Sequence, residues 1–188
     1  MSILSGMAIK EAIQRGDIEI SDFNESRLNP HSYNLRLGNR YLCYTNTQHL
    51  DAEEENKTEE GYFSGTDLAY GGGIMLHPGR LYLMHTMETV CAHKYVPIID
   101  GRSSVGRLGI GVHITAGYGD VGFKGTYTLE VTVIHPTIVY AGSEICQIRF
   151  QTLQLGENET EYPKYSGKYN GQTGPKASGW WKEAHKWG

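Results

Sequence analysis

The sequence predicts a mainly β domain, closed as a distorted barrel or jelly roll, with one short helix at its start. Three observations carry this. From residue 74 onward the chain breaks into short β-rich runs, IMLHPGRLYLMHT, KYVPIID, YTLEVTVI and TIVYAGSEICQIRFQTL, each bounded by turn residues. Helical periodicity occurs near the N-terminus and hardly again. No internal repeat divides the chain, and 188 residues suffice for one domain with a sizeable core.

The elements follow in order. Residues 5–16 predict the helix: Ser5 caps it, Ile9, Ala12 and Ile13 make an apolar stripe, and Gly16 ends it. A strand begins in 17–21. Residues 33–44, YNLRLGNRYLCY, alternate around a Gly-Asn pair that reads as a hairpin turn. Residues 51–60, DAEEENKTEE, hold six acids and one lysine and predict a solvated loop. Residues 71–73 predict a turn. The β domain is expected to span 1–161. Residues 162–188 are polar, Gly-rich and aromatic, which suits a frayed tail or a mobile lid that orders on binding.

Composition narrows the function. A net charge of −4 gives no global basic field, so a nucleic-acid polymer is not the expected partner. No apolar run reaches about 18 residues, so no membrane span is expected, and no signal-peptide core opens the chain. The cytosol is the expected compartment. Cys43, Cys91 and Cys146 are scattered, as reduced, buried thiols would be.

The chemistry concentrates in residues 101–131, GRSSVGRLGIGVHITAGYGDVGFKGTYTLEV. On a period of two, Tyr127, Leu129, Val131 and Val133 share one face, while Thr126, Thr128, Glu130 and Thr132 share the other. Glutamate is a poor strand former, so Glu130 marks either an exposed face or a cleft, and in a cleft it would suit a general base. Arg102, Ser103, Ser104 and Arg107 read as a turn into a short helix. Backbone N–H groups, two hydroxyls and two guanidinium forks there suit phosphate oxygens, and a plain capped helix is the alternative. Gly117 and Gly119 permit close backbone approach, and Asp120 is either a turn former or a site carboxylate. His113 and His135 stand at no metal-ligand spacing and read as structural.

This stretch resembles the core of the dCTP deaminase branch of the dUTPase-like superfamily. The resemblance extends to ILSGMAIKEAIQRGDIEI as opening helix and strand, and to NPHSYNLRLGNRY as the S-x-D-L-R-L-G segment with Asn34 in place of aspartate. LHPGRLYLMHTMETV resembles the family hairpin, YAGSEICQIRF its late strands and GKYNGQTGP its C-terminal lid. Residues 51–70 and the WWKEAHKWG end lie outside it. The resemblance implies a dUTPase-type fold, a homotrimer with sites at subunit boundaries, and hydrolytic deamination of dCTP with Mg²⁺ carried on the triphosphate.

The family's general base falls on Glu130, and its R-S-S motif on Arg102, Ser103 and Ser104, with a second arginine on Arg107. Its backbone contact to the base falls on Ile114, Thr115 and Ala116. Its lid residues fall on Lys168, Tyr169 and Gln172, with Tyr165 or Tyr162 as a further tyrosine. The chain has neither the H-x-E nor the P-C-x-x-C of zinc deaminases, so Glu130 is left to deprotonate the water attacking C4, with Ser103 orienting that water or stabilising the developing tetrahedral centre. Gly117 of the T-A-G triplet, with Asp120, suggests the bifunctional form that also converts dUTP to dUMP and pyrophosphate, since a glycine there leaves room above the α-phosphate for a second water. Val121 replaces a usual proline, and Tyr118-Gly119 a bulkier pair. The alternatives are a deaminase of dCTP, dCMP or a modified cytosine nucleotide that stops at deamination, a plain dUTPase, and a non-catalytic nucleotide-binding trimer.

Overall fold

The computed structural model describes residues 2–46, 48–63, 72–115, 117–162 and 164–184. The first helix, α1 (Gly6–Gln14), begins as the sequence predicts, with Ser5 Oγ accepting the Ala8 N–H at 3.2 Å. Its inner face buries Ile9 and Ala12 completely. Gly16 takes the left-handed φ of 76° that lets the chain leave the helix and enter a strand.

In chain order the strands are β1 (Ile18–Ile20), β2 (Tyr33–Arg36), β3 (Arg40–Tyr44), β4 (Thr58–Tyr62), β5 (Gly73–Leu76), β6 (Tyr82–His85) and β7 (Val90–Ala92). Then come β8 (Tyr95–Gly101), the short helix α2 (Ser103–Gly106), β9 (Ile110–Gly111), β10 (Lys124–Gly125), β11 (Thr128–Val133), β12 (Thr137–Tyr140), β13 (Glu144–Thr152) and a last helical turn, α3 (Trp181–Ala184). They form sheets ordered β1-β7-β10, β4-β3-β6-β11-β9, β12-β5 and β2-β13-β8, and every pairing is antiparallel. The mainly β expectation holds. The main core runs between the sheets and under α1, with Ile9, Leu35, Met84, Leu129, Ile148 and Phe150 fully or almost fully buried, and Val96, Ile98 and Val121 form a smaller second cluster. Each such side chain contributes roughly 1.5–3 kcal/mol by leaving water.

Two pairings differ from the sequence reading. β2 and β3 do not form a hairpin: β2 pairs with β13, and β3 with β4 and β6. Gly38 carries the chain from one sheet to the other, because its N–H bonds the His85 carbonyl at 2.8 Å and the His85 ring occupies the space where a side chain would project. Likewise residues 76–90, which resemble the family hairpin, do not pair among themselves: β5 joins β12, β6 joins β11, and β7 joins β1 and β10. The acidic run is also only partly a loop. Residues 51–57 are loop, but 58–60 open the edge strand β4, where Glu59 pairs with Arg80 at 2.7 Å and Glu60 with Arg40 at 3.7 Å. Charged side chains suit an edge, since they deter pairing with another chain. Of the expected 71–73 turn, Gly71 lies outside the described residues, and Gly72, at φ 90°, leads into β5.

Cys43, Cys91 and Cys146 are free and buried, as expected. Among the described residues no helix is long and apolar enough to cross a membrane.

Candidate active site

β11 alternates as its sequence demands. Leu129, Val131 and Val133 are buried in the core, while Thr128, Glu130 and Thr132 are half-buried on the opposite face. The loop after β9 crosses that face because Gly111 of β9 pairs with Thr132. There the Ile114 N–H donates to Glu130 Oε2 at 2.9 Å. Among the described residues Oε1 accepts no hydrogen bond. Glu130 is thus oriented by backbone and keeps one oxygen for a ligand.

Glu130 lines a cavity of about 610 Å³ together with Ile114, Thr115, Asp120 and Thr128. That volume is in the range of small-molecule sites, roughly 300–1,000 Å³. Much of the rest of its lining is aromatic, with Tyr118, Phe123, Tyr127, Tyr165 and Tyr169. Phe123 stacks obliquely on Tyr127, with centroids 5.1 Å apart, and meets Tyr165 edge-on at 5.7 Å. Burial pushes the Tyr165 phenol above its ordinary pKa, and the Tyr127 phenol much further. Neither phenol ionises near neutral pH. The charged groups of the cavity are Asp120, Glu130 and Lys176. Among the described residues no group of three or more His, Cys, Asp or Glu side chains could hold a metal ion.

The C-terminal segment closes one side. The Gly171 N–H donates to the Lys124 carbonyl at 2.7 Å, and the Thr126 N–H to the Gln172 carbonyl at 3.0 Å. Beyond it, the Lys176 N–H donates to Thr128 Oγ1 at 3.1 Å and the Ser178 N–H to the Tyr44 hydroxyl at 3.1 Å. The Gln172 amide donates to the Thr126 carbonyl at 2.5 Å and to Thr128 Oγ1 at 3.2 Å, and its own Oε1 is buried without a partner among the described residues. A buried acceptor left open beside a cavity is costly unless something meets it.

The structure therefore brings Glu130, Asp120, Ile114, Thr115, Tyr165, Tyr169 and Gln172 to one place. It does not bring all the expected residues there. Arg102, Ser103, Ser104 and Arg107 sit on and around α2, away from this cavity, and none of the four residues of α2 is buried. Lys168 lies outside it too, paired with Glu183 at 2.9 Å over the Tyr169 ring. Ala116 lies outside the described residues. Gly117 does not line the cavity. A Cβ there would stand 2.5 Å from the Ile99 carbonyl oxygen and 2.9 Å from His113 Nε2, so this glycine answers to the close approach of β8, not to space for a second water. The sequence reading missed Tyr44, Phe123 and Lys176. Phe123 and Lys176 follow Gly-rich turns, which was the only signal for them, and Tyr44 gave none.

Comparison with known proteins places these observations. The family model described as dCTP deaminase-like matches residues 3–153. A protein of Hathewaya histolytica named "dCTP deaminase, dUMP-forming" is 46% identical over 177 residues, covering 94% of this chain and 95% of its own length. One of the same name from Cytophaga hutchinsonii is 45% identical, covering 98% of this chain and 99% of its own. Among solved structures, the 2'-deoxycytidine 5'-triphosphate deaminase of Agrobacterium tumefaciens superposes with a TM-score of 0.61 at 22% identity, over 80% of this chain and 48% of that one. That likeness speaks for the fold.

Proposed function

As this chain belongs to the dCTP deaminase-like family, we propose that it removes the 4-amino group of dCTP by hydrolysis and carries the product on to dUMP and pyrophosphate. The observation that carries the reading is Glu130, a carboxylate fixed by the Ile114 N–H on the wall of a nucleotide-sized cavity. Water adds to C4 of the cytosine ring as Glu130 takes its proton. The same carboxyl then returns a proton to the departing amine, which leaves as ammonia, and dUTP remains. A positioned general base of this kind is worth roughly 10²–10⁴ in rate. The aromatic wall takes the faces of base and sugar, and the bound loop 114–115 offers backbone groups to the base edge.

A second water then attacks the α-phosphorus and pyrophosphate departs. Asp120, the other cavity carboxylate, orients that water or holds the sugar. Support for this second step is Asp120 and the names of the relatives, since Gly117 is held by packing. Arg102, Ser103, Ser104 and Arg107 act on the cavity of a neighbouring copy in a homotrimer, with Ser103 orienting the first water and the arginines taking the triphosphate. In favour of this, α2 is exposed within the chain, and Leu108 and Ile134 beside it are 61% and 70% exposed. Residues 162–188 form the lid, with Lys168, Tyr169 and Gln172 closing on the substrate. Mg²⁺ enters with the triphosphate as part of the substrate, drawn from the cytosolic nucleotide pool.

The test is to incubate the protein and Mg²⁺ separately with dCTP, dCMP and dUTP, and to follow the products by chromatography and phosphorus NMR. dUMP and pyrophosphate from dCTP are expected. Stable dUTP as sole product removes the second step, and turnover of dCMP alone moves the substrate to the monophosphate.

A further inference from the structure

Arg102 caps the start of α2 directly after β8, and its side chain is held from one side only. Nη1 donates to the Glu144 carbonyl at 2.6 Å and lies 3.3 Å from Glu144 Oε2. That carboxylate oxygen also accepts from Asn34 Nδ2 at 2.8 Å. Asn34 is 6% exposed, and its Oδ1 accepts from Asn29 Nδ2 at 2.8 Å. A parallel path holds the backbone: Asn29 Nδ2 donates to Ser32 Oγ, Ser32 Oγ to Gln147 Oε1 at 2.7 Å, and Gln147 Nε2 to the Gly101 carbonyl at 2.9 Å. The register of β13 slips between Glu144 and Cys146, an irregularity of the kind that re-aims a side chain.

The network has a direction. Asn29 Nδ2 spends both hydrogens inside it, on Ser32 Oγ and Asn34 Oδ1, and the Asn34 amide is the donor that fixes the Glu144 carboxylate. A carboxylate at position 34 would set like charges against each other there. With Nη1 engaged twice, Nε and Nη2 of Arg102 make no hydrogen bond among the described residues. That edge of the fork is the one suited to two oxygens of a phosphate.

We propose that Asn34 and Glu144 are a positioning pair that locks Arg102 with its free edge presented to the substrate's phosphates. This rests on the phosphate-binding role given to Arg102 above. Neither residue touches substrate. Their effect is on the entropy and angle of the guanidinium, so it falls on binding of the phosphorylated ligand and not on the proton transfer at Glu130.

The test is steady-state kinetics on dCTP, with melting curves and deoxycytidine affinity alongside, for Arg102→Ala, Glu144→Ala, Asn34→Asp and the double variant Asn34→Asp/Glu144→Gln. Freeing the fork is expected to raise KM for dCTP about tenfold in Glu144→Ala and Asn34→Asp, the lower range for a charge-assisted hydrogen bond. The turnover number at saturation and the affinity for deoxycytidine should stay within about twofold, because neither involves the guanidinium. The double variant reverses donor and acceptor across the pair and should recover KM to within about threefold of the parent. A double variant no better than Asn34→Asp overturns the proposal, as does a lowered melting point with unchanged KM. Glu144 is about one-third exposed, so Glu144→Ala decides the matter even where Asn34→Asp fails to fold. An Arg102→Ala defect beside normal KM in Glu144→Ala refutes the pair alone. An unchanged KM in Arg102→Ala refutes the role of Arg102 itself and the pair's function with it.

Discussion

Replacing Glu130 by glutamine separates proton acceptance from everything else this side chain does. Glutamine keeps the length and one carbonyl oxygen, which can still accept the Ile114 N–H now bonded at 2.9 Å. Its amide nitrogen cannot take a proton from water. Loss of a positioned general base costs roughly 10²–10⁴ in turnover, or about 3–5 kcal/mol of barrier. Stability should hardly move. Leu129 and Val131, which bury the strand, are untouched, and Glu130 itself is only half-buried. With the backbone bond kept, the change is expected to be under about 1 kcal/mol, or no more than about 4 °C in a chain of this size. Glu130→Ala is the companion: it also frees the Ile114 N–H, but Ile114 is 60% exposed and water can satisfy that donor. Both variants should therefore lose turnover to a similar extent and still melt near the parent. The assay is ammonia release from dCTP, with dCTP affinity measured on the same samples. Near-parental turnover in a well-folded Glu130→Gln would refute the reasoning and leave Asp120 as the remaining carboxylate of the cavity.

Removing residues from 166 onward should abolish most activity while the β domain still melts cooperatively, because the segment is held by hydrogen bonds to β10 and β11 and supplies none of the main apolar core; retained turnover in the truncated protein counts against a lid. Gly117→Ala should destabilise by at least about 1–3 kcal/mol in urea unfolding, since the new methyl would meet the Ile99 carbonyl, which is backbone and cannot swing aside; an unchanged midpoint would return Gly117 to a role in the cavity. Burial holds the His85 imidazole below its ordinary pKa, with Nδ1 on the Thr86 carbonyl and Nε2 buried and without a partner among the described residues. The unfolded chain then binds a proton that the fold refuses, so stability falls as pH drops below about 6.5. The melting temperature should decline over that window in the parent and decline less in His85→Gln.

Features written in local sequence were legible. The Ser5 cap and Gly16 stop define α1 because both act within a turn of where they stand. The two-residue period of β11 put Glu130 on a threonine face, and R-S-S opened a short helix, before any contact was known. The resemblance, running from the opening helix to GKYNGQTGP with residues 51–70 left out, extended this to a fold and an activity, and the family model matching residues 3–153 agrees with it.

Partners distant in sequence were a different matter. The alternation in 33–44 is the same whether β2 and β3 pair with each other or with β13 and β6, so the hairpin reading had nothing local to contradict it. The acids of 58–60 fit a loop as well as an edge strand until Arg40 and Arg80 arrive beside them. Gly117 could be taken for open space because the Ile99 carbonyl that crowds it is eighteen residues away in the chain. Residue type and short-range period thus determined which side chains carry chemistry. Only the tertiary structure, through pairings that cost loop entropy and are chosen by the whole core, decided which of them share a cavity: Glu130 and Asp120 with the aromatic wall, and Arg102 held apart on the grip of Glu144 and Asn34.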